Sequence, residues 1–481
     1  MSFNSFNIYP NSIQIHNDSL FFMANIDKYD MLVISGLEMG QFNGKEMSIQ
    51  GKTYKLCPLT VENSKKIRKL FDFTNPVSHR EKNVTIGLGD RLGIASAGHL
   101  RLLCNLDVFP VLAQQSMREL SLTGRTYEDV LSAAVWAVFR EGYTKGYGAD
   151  GDHLKTHDEV KNALECGFTM ITLDCSEHID NDLWSAAQSE IDMLYSKLPA
   201  DDVMALENCY INKTFPIDEN FSISFHNDDF KRMVLIYIPA IKHALNIYND
   251  LIKETKTDFE VSIDETLSKT SPEQHFFVAS ELIKQGCDMV SLAPRFVGEF
   301  QKGIDYRGDV SEFEHDFRLH AKIAEKFGYK ISVHSGSDKF SIFPIVGKLT
   351  GNKYHLKTSG TNWLEAVRVI AIHAPELYRE IHRFALENLS QARKYYHVIA
   401  DCSNITDIND VTDAELPYYL DRDDSRQVLH ITYGLVLMAK NDDGSCLFRE
   451  RIFEVLNTHE QEYFTALEKR IGQHLKALEP V

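Results

Sequence analysis

The chain has 481 residues, of which 43% are hydrophobic and 25% charged. That is ordinary globular composition, incompatible with a disordered chain and long enough to bury a large core. With 51 basic against 69 acidic residues the net charge is −18, which argues against nucleic acid or an anionic membrane as partner, because their phosphates would be repelled.

Eight cysteines occur at positions 57, 104, 166, 175, 209, 287, 402 and 446, with no C-x-x-C pair. They read as free thiols of a reducing, cytoplasmic compartment and not as a zinc ribbon or redox motif. The N-terminal "MSFNSFNIYPNSIQIHNDS" has no basic region followed by an apolar run, so no signal peptide is expected. The most apolar window, "MVLIYIPAIKHALNIYNDLI" from Met233, carries Lys242, His243 and Asp250 and is interrupted by Pro239. It predicts a kinked core helix and no membrane span.

In chain order, residues 1–80 alternate strand-like runs ("SLFFMANI", "DMLVISGL", "EMSIQG", "TYKLCPL") with one helical stretch, "VENSKKIRKLFDF". They predict a small N-terminal α/β cap. From residue 84 short apolar runs end in polar residues and are separated by helical patterns: "VTIGLGD" (84–90), "VFPVLAQQ" (108–115), "KGYGADGDH" (145–153), "FTMITLD" (168–174), "FEVSIDE" (259–265), "MVSLAPR" (289–295), "YKISVHS" (329–335) and "YHLKTSG" (354–360). About eight strand–helix units fit an α/β fold of the (β/α)₈ TIM type, which takes roughly 250 residues. The barrel is expected over 81–395, with an insertion at about 175–257, too long for one crossover. After residue 360 the pattern is mainly helical, and 396–481 is expected to form a helical appendage on the barrel, with homo-oligomer contacts as a further use of its amphipathic faces.

Barrel enzymes place their chemistry at the C-terminal ends of the strands. Here those ends carry Asp90, Arg91, Gln114, Gln115, Asp150, Asp152, His153, Asp174, Glu260, Asp264, Glu265, Arg295, His334, His355 and Lys357. Side chains alternate faces along a strand. In "FEVSIDE" the apolar Val261 and Ile263 turn outward, and Glu260 and Asp264 therefore inward. In "YKISVHS" Ser332 and His334 turn inward; in "YHLKTSG", His355 and Lys357. Glu260, His334, His355 and Lys357 are thus expected to converge, with His153 joining from the third strand. Histidines with carboxylates suit a divalent transition metal (Mn, Ni, Co, Zn or Fe) better than Mg or Ca; the alternative is a set of hydrogen-bonded interior histidines. A mid-strand carboxylate such as Glu260 is costly in a barrel unless paired or metal-bound.

Other features are read as follows. "GLGD" at 87–90 lacks the G-x-G-x-x-G spacing and reads as a tight turn. "SGSDKF" at 335–340 follows the seventh strand, where barrels bind anions, so Lys339 either neutralises a carboxylate or caps a helix. Arg295 either forks onto a carboxylate or pairs with an acid of the rim. Asp152 reads as a general base or as an orienter of His153. No G-x-S-x-G elbow or Cys/His signature supports covalent catalysis.

At these residues the chain resembles the tagaturonate epimerase family. The matching segments include "GLGDRLGIASAGHLR" (87–101), "FPVLAQQSMRELSLTGRTYEDVL" (109–131), "GYGADGDHLKT" (146–156), "FEVSIDET" (259–266), "VSLAPRFVGEFQKGIDYRGD" (290–309), "ISVHSGSDKFSIFPI" (331–345) and "HLKTSGTNWLEA" (355–366). They are dense over about 84–475 and sparse in the first 80 residues. The resemblance implies a metal-dependent barrel that interconverts D-tagaturonate and D-fructuronate in hexuronate catabolism. Carried over by motif, it implies His153 and His334 as metal ligands, Asp152 as proton acceptor and Glu260 as proton donor. His355 is the candidate third ligand on parity. Asp90, Arg91, Gln114, Arg118, Arg295, Lys339 and Lys357 are candidates for holding a small ketohexuronate.

The two uronates differ at one hydroxyl-bearing carbon β to the ketone, where direct deprotonation lacks carbonyl activation. Retro-aldol cleavage and re-addition solves this, with a keto–enol route as competitor. The alternatives are a ketose epimerase, isomerase or aldolase acting on neutral sugars, and a non-catalytic sugar-acid binding protein.

Overall fold

The eight strand-like runs become eight parallel strands that close into one barrel. They are β1 (Val84–Leu88), β2 (Phe109–Ser116), β3 (Gly148–Leu154), β4 (Met170–Asp174), β5 (Asp258–Ile263), β6 (Ser291–Pro294), β7 (Lys330–Val333) and β8 (Tyr354–Thr358). Each pairs with its neighbours in sequence and β8 returns to β1. The structure, a computed structural model, describes residues 6–266 and 268–479. Phe259, Val261 and Ile263 of β5 pack into the main apolar core. The alternate residues Glu260 and Ser262 are equally buried, inside the barrel, as the strand period requires.

Helices follow the strands because their entries are capped. Ser116, Thr126, Thr156 and Ser271 each form a capping box with the acid or amide three residues on. Between β4 and β5 the predicted insertion holds helices Gln188–Tyr195 and Ala200–Tyr210, a hairpin of Thr214–Pro216 with Ser222–Ser224, and the long helix Asn227–Ile247, with Pro239 inside it. None of the described helices is long and apolar enough to cross a membrane.

The first 80 residues are more strand-rich than the sequence pattern indicated. Six antiparallel strands form a sheet, including Asn7–Ile8 and Gln14–His16, which are too short to carry a periodic signal, and helix Val61–Leu70 follows it. In Ser19–Ile26 both faces are apolar. Phe21 and Met23 join the barrel's core, while Phe22 and Ala24 belong to a small cluster with Val33 and Ile49.

The C-terminal helices build a second apolar cluster around Trp363, Tyr378, Leu429 and Tyr463, which also takes in Leu92, Ala95 and Ala97 after β1. Close approach needs glycine here: a Cβ at Gly347 would lie 1.8 Å from the Leu478 carbonyl oxygen, so helix Phe343–Leu349 admits the end of helix Glu460–Leu478 only without a side chain.

A buried carboxylate ties these helices to the barrel. Asp338, in the loop after β7, accepts from Arg426 Nη2 at 2.6 Å and from Arg470 Nε at 2.8 Å. Its own N–H donates to His474 Nε2 at 2.8 Å. Burial pushes the Asp338 carboxyl up, but Arg426, His474 and Arg470 prevail and hold it well below the usual carboxylate range. A carboxyl depressed in the folded state stabilises fully above its unfolded pKa of about 4 and loses that contribution as pH falls through the folded value. Asp338→Asn is therefore expected to cost about 3–5 kcal/mol in denaturant unfolding at pH 7. The deficit should hold from pH 8 to 5 and shrink only in stronger acid. A variant as stable as the parent at pH 7 would remove this anchor from the account.

Candidate active site

The inward faces of β3, β4, β5, β6 and β8, with His334 just past β7, deliver one connected polar network. At its centre is the Lys357 ammonium of β8, buried and in contact with Asp150 Oδ2 at 2.8 Å, Asp152 Oδ1 at 2.7 Å and Glu260 Oε1 at 3.0 Å. It also donates to Thr172 Oγ1. Thr172 in turn donates to Asp150 and lies 3.2 Å from Glu260 Oε1. Glu260 accepts from Ser291 Oγ at 2.5 Å and from His334 Nε2 at 2.8 Å. Register explains the meeting: Glu260 lies opposite Thr172 on β4 and Ser291 on β6.

Burial raises every carboxyl in this network, and the neighbouring cations decide which stay charged. For Glu260 burial is outweighed by Lys357 and His334, which hold it well below the usual range. For Asp152 it is outweighed by Lys357 and His153. For Asp150 burial wins, and its carboxyl is pushed up to about 6. Lys357 loses to burial but gains more from Asp150, Asp152 and Glu260, and its pKa lies well above the usual lysine value.

Above this network His153, His334 and Asp264 bring one ligand-type atom each within 4.8 Å of one another. His153 ends β3 with φ at +53°, a left-handed backbone that histidine tolerates better than most residues. Its Nδ1 is held by Asp152 Oδ1 at 2.7 Å, which leaves Nε2 for a ligand. His334 Nδ1 is buried and makes no hydrogen bond, although Asp264 Oδ2 lies 3.2 Å away. An imidazole nitrogen and a carboxylate oxygen at this ion-pair distance are also placed to share a cation. The donor set is imidazole and carboxylate, that of a divalent transition metal.

The cluster opens on a cleft of about 640 Å³, open solvent included, lined by Arg91, Gln114, Arg118, Asp152, His153, Asp264, Glu265, Lys302, His334, Lys357, Tyr396 and His430 among others. Of the sequence-derived candidates, Asp152, His153, His334, Lys357, Arg91, Gln114 and Arg118 are therefore brought together. Arg91 is buried, donates from Nε to Glu119 Oε1 at 3.0 Å and stacks 3.8 Å from the Tyr433 ring centroid.

Five candidates are placed differently. Glu260 joins the network but lies beneath the cleft wall, its oxygens occupied as above. His355 is one inward layer deeper: it stands beside Thr85 and Ser332, two residues before His334 and so about 7 Å lower. There its Nδ1 contacts Thr85 Oγ1 at 2.7 Å and its ring stacks on His79 at 5.6 Å. Asp264 takes its place in the ligand group. Asp90 spends its carboxylate on the N–H groups of Leu92, Gly93 and Ala95 at 2.7–3.1 Å, fixing the β1 loop. Lys339 is buried and donates to the carbonyls of Gln301, Ile304 and Ser337 at 2.6–2.9 Å. Arg295 does not line the cleft.

Residues not singled out as ligands or binders also belong to the site. Asp150 and Asp264 were accessible to the parity argument, being inward on β3 and just past β5. Lys302, Tyr396 and His430 lie on loops or on a C-terminal helix, where no periodicity points into the barrel.

A family model described as tagaturonate epimerase matches residues 9–478. The tagaturonate/fructuronate epimerase of Thermotoga maritima is 39% identical over 478 residues, covering 98% of this chain and 97% of that protein. A glycerol-complexed crystal structure of the fructuronate-tagaturonate epimerase from Cohnella laeviribosi is 48% identical with a TM-score of 0.96, covering 99% of this chain and 97% of the other. Its native crystal structure gives 0.95 at the same identity, covering 98% and 96%. The likeness thus takes in the N-terminal sheet as well as the barrel, beyond the stretch from residue 84 where the motifs are dense. A barrel with this cleft, matched over nearly its whole length, belongs to the tagaturonate epimerase family of carbohydrate epimerases.

Proposed function

We propose that the protein interconverts D-tagaturonate and D-fructuronate, using a divalent metal held by His153, His334 and Asp264. The observation that carries the reading is the juxtaposition, in one cleft, of that ligand group with a carboxylate–lysine–carboxylate bridge. Bound there, the cation would supply Lewis-acid stabilisation of negative charge on the ketone oxygen.

The chain's own residues handle the protons. Asp152 lines the cleft and is kept charged by Lys357 and His153, the state a proton acceptor needs. It takes the proton of the hydroxyl on the carbon β to the ketone. The bond from that carbon to its neighbour α to the ketone breaks, its electron pair passing into the enediolate of the ketone fragment while the hydroxyl carbon becomes an aldehyde. The aldehyde turns its other face, the pair re-forms the bond, and the new alkoxide takes back a proton. Glu260 does not reach the cleft and is held charged, so the proton is returned from Lys357 Nζ, which lines the cleft and recovers a proton from Asp152, while Glu260 on its other side stabilises the ammonium.

Asp152→Asn is expected to lower kcat by about 10²–10⁴-fold, with metal content and thermal stability close to the parent's, as read by NMR of products from D-tagaturonate. Undiminished turnover would remove Asp152 from the proton path. Chelator-treated protein should lose activity and regain it with Mn, Ni, Co or Zn. By elemental analysis His334→Ala and Asp264→Ala should bind less than a tenth of the parent's metal, while His355→Gln keeps it. Metal loss in His355→Gln with retention in Asp264→Ala would reverse the ligand assignment. Lys357→Met should lose turnover and also cost about 3–5 kcal/mol of stability, since it leaves buried carboxylates unpaired.

A further inference from the structure

The cleft that holds the ligand group is also lined by two cations with no direct carboxylate partner among the described residues. Arg118 stands in the first turn of helix Met117–Thr123 and Lys302 in the loop after β6. Both line the cleft. Among the described residues neither forms an ion pair with a carboxylate. The Arg118 guanidinium stacks 4.7 Å from the Tyr396 ring centroid and donates only to the Tyr395 carbonyl, at 3.3 Å, while its Nε is buried without a partner. The Lys302 ammonium donates to Ser335 Oγ at 2.7 Å. Glu119 is engaged by Arg91, and Glu265 acts on both cations through space without touching either: against burial, Tyr396 and Glu265 still hold the Arg118 guanidinium up, while burial and Arg118 push the Lys302 ammonium down.

Two sheltered cations without counter-ions are conspicuous in a chain of net charge −18. Desolvated like charges repel, so their placement side by side favours an anion between them. An arginine fork held against an aromatic face is suited to a carboxylate, and a lysine adds a point charge from the other side.

We infer that Arg118 and Lys302, walled by Tyr396, form the subsite for the terminal carboxylate of the sugar acid and make the cleft select hexuronates over neutral ketohexoses. This rests on the epimerase reading for the substrate's identity, but the anion preference can be read separately. Tyr396 comes from the segment beyond the barrel, so the C-terminal appendage shares in defining the substrate class.

The test uses the full chain loaded with Mn²⁺ and two non-reacting six-carbon probes, D-galactonate and galactitol, by calorimetric titration. The parent should bind the acid at least about 10-fold more tightly than the alditol, as charge-assisted contacts predict. In Arg118→Met and in Lys302→Met that preference should shrink toward unity, with galactitol affinity within about threefold of the parent's. Arg118→Lys should keep part of it. On D-tagaturonate the same two variants should show the loss chiefly in KM, with kcat changed much less. Acid preference that survives both Met variants, or equal weakening of both probes, would overturn the subsite. A parent that prefers galactonate but does not convert tagaturonate would instead overturn the epimerase reading and leave the subsite standing.

Discussion

The barrel interior is organised around one charge balance. Lys357 faces Asp150, Asp152 and Glu260 at 2.7–3.0 Å with no more than a few per cent of its side chain exposed. Removing these groups from water costs far more than any one contact returns, and only a closed set of opposite charges and hydrogen bonds makes the burial tolerable. That set dictates much else. Glu260 steers His334 through Nε2, and Asp152, held by the same lysine, steers His153 through Nδ1. Both imidazoles thus point their remaining nitrogens upward, toward Asp264. Carboxylates still outnumber the lysine, and a divalent cation above them would complete the neutralisation.

The mouth of the barrel is built from parts that the barrel does not itself supply. Arg91 from the β1 loop is clamped between Glu119 after β2 and Tyr433 of the C-terminal helices. Asp338 after β7 is clamped by Arg426 and Arg470. These arginines draw the C-terminal segment over one side of the cleft, where Tyr396 and His430 become part of its wall. Strand ends hold the inward polar groups on rigid backbone, while the C-terminal segment, anchored to the barrel, supplies part of the cleft wall.

Much of this was legible in the residues, and the reasons differ by residue. Glu260, His334 and Lys357 were found by parity, because a two-residue period assigns a face wherever outward neighbours are apolar. His355 shows what parity leaves open. It has the same inward face as Lys357 but lies a layer lower, since depth is set by the stagger between strands and by where each begins. Asp90 and Lys339 show a second limit. Both are polar residues near strand ends, yet one caps backbone amides and the other caps carbonyls, because loops need their own hydrogen bonds satisfied before they can present anything to a ligand.

What the amino-acid sequence determined by itself is the repeating strand–helix order, the closed parallel barrel and the inward set of carboxylates, histidines and lysine. These follow from local periodicity, which every segment carries independently of the rest. The tertiary structure alone decided which inward residues share a level, that Asp264 and not His355 faces the paired histidines, and that a helix-start arginine and a loop lysine stand without a direct carboxylate partner beside a tyrosine from the C-terminal segment. Those relations depend on inter-strand register and on contacts between residues hundreds of positions apart, and no local pattern encodes them.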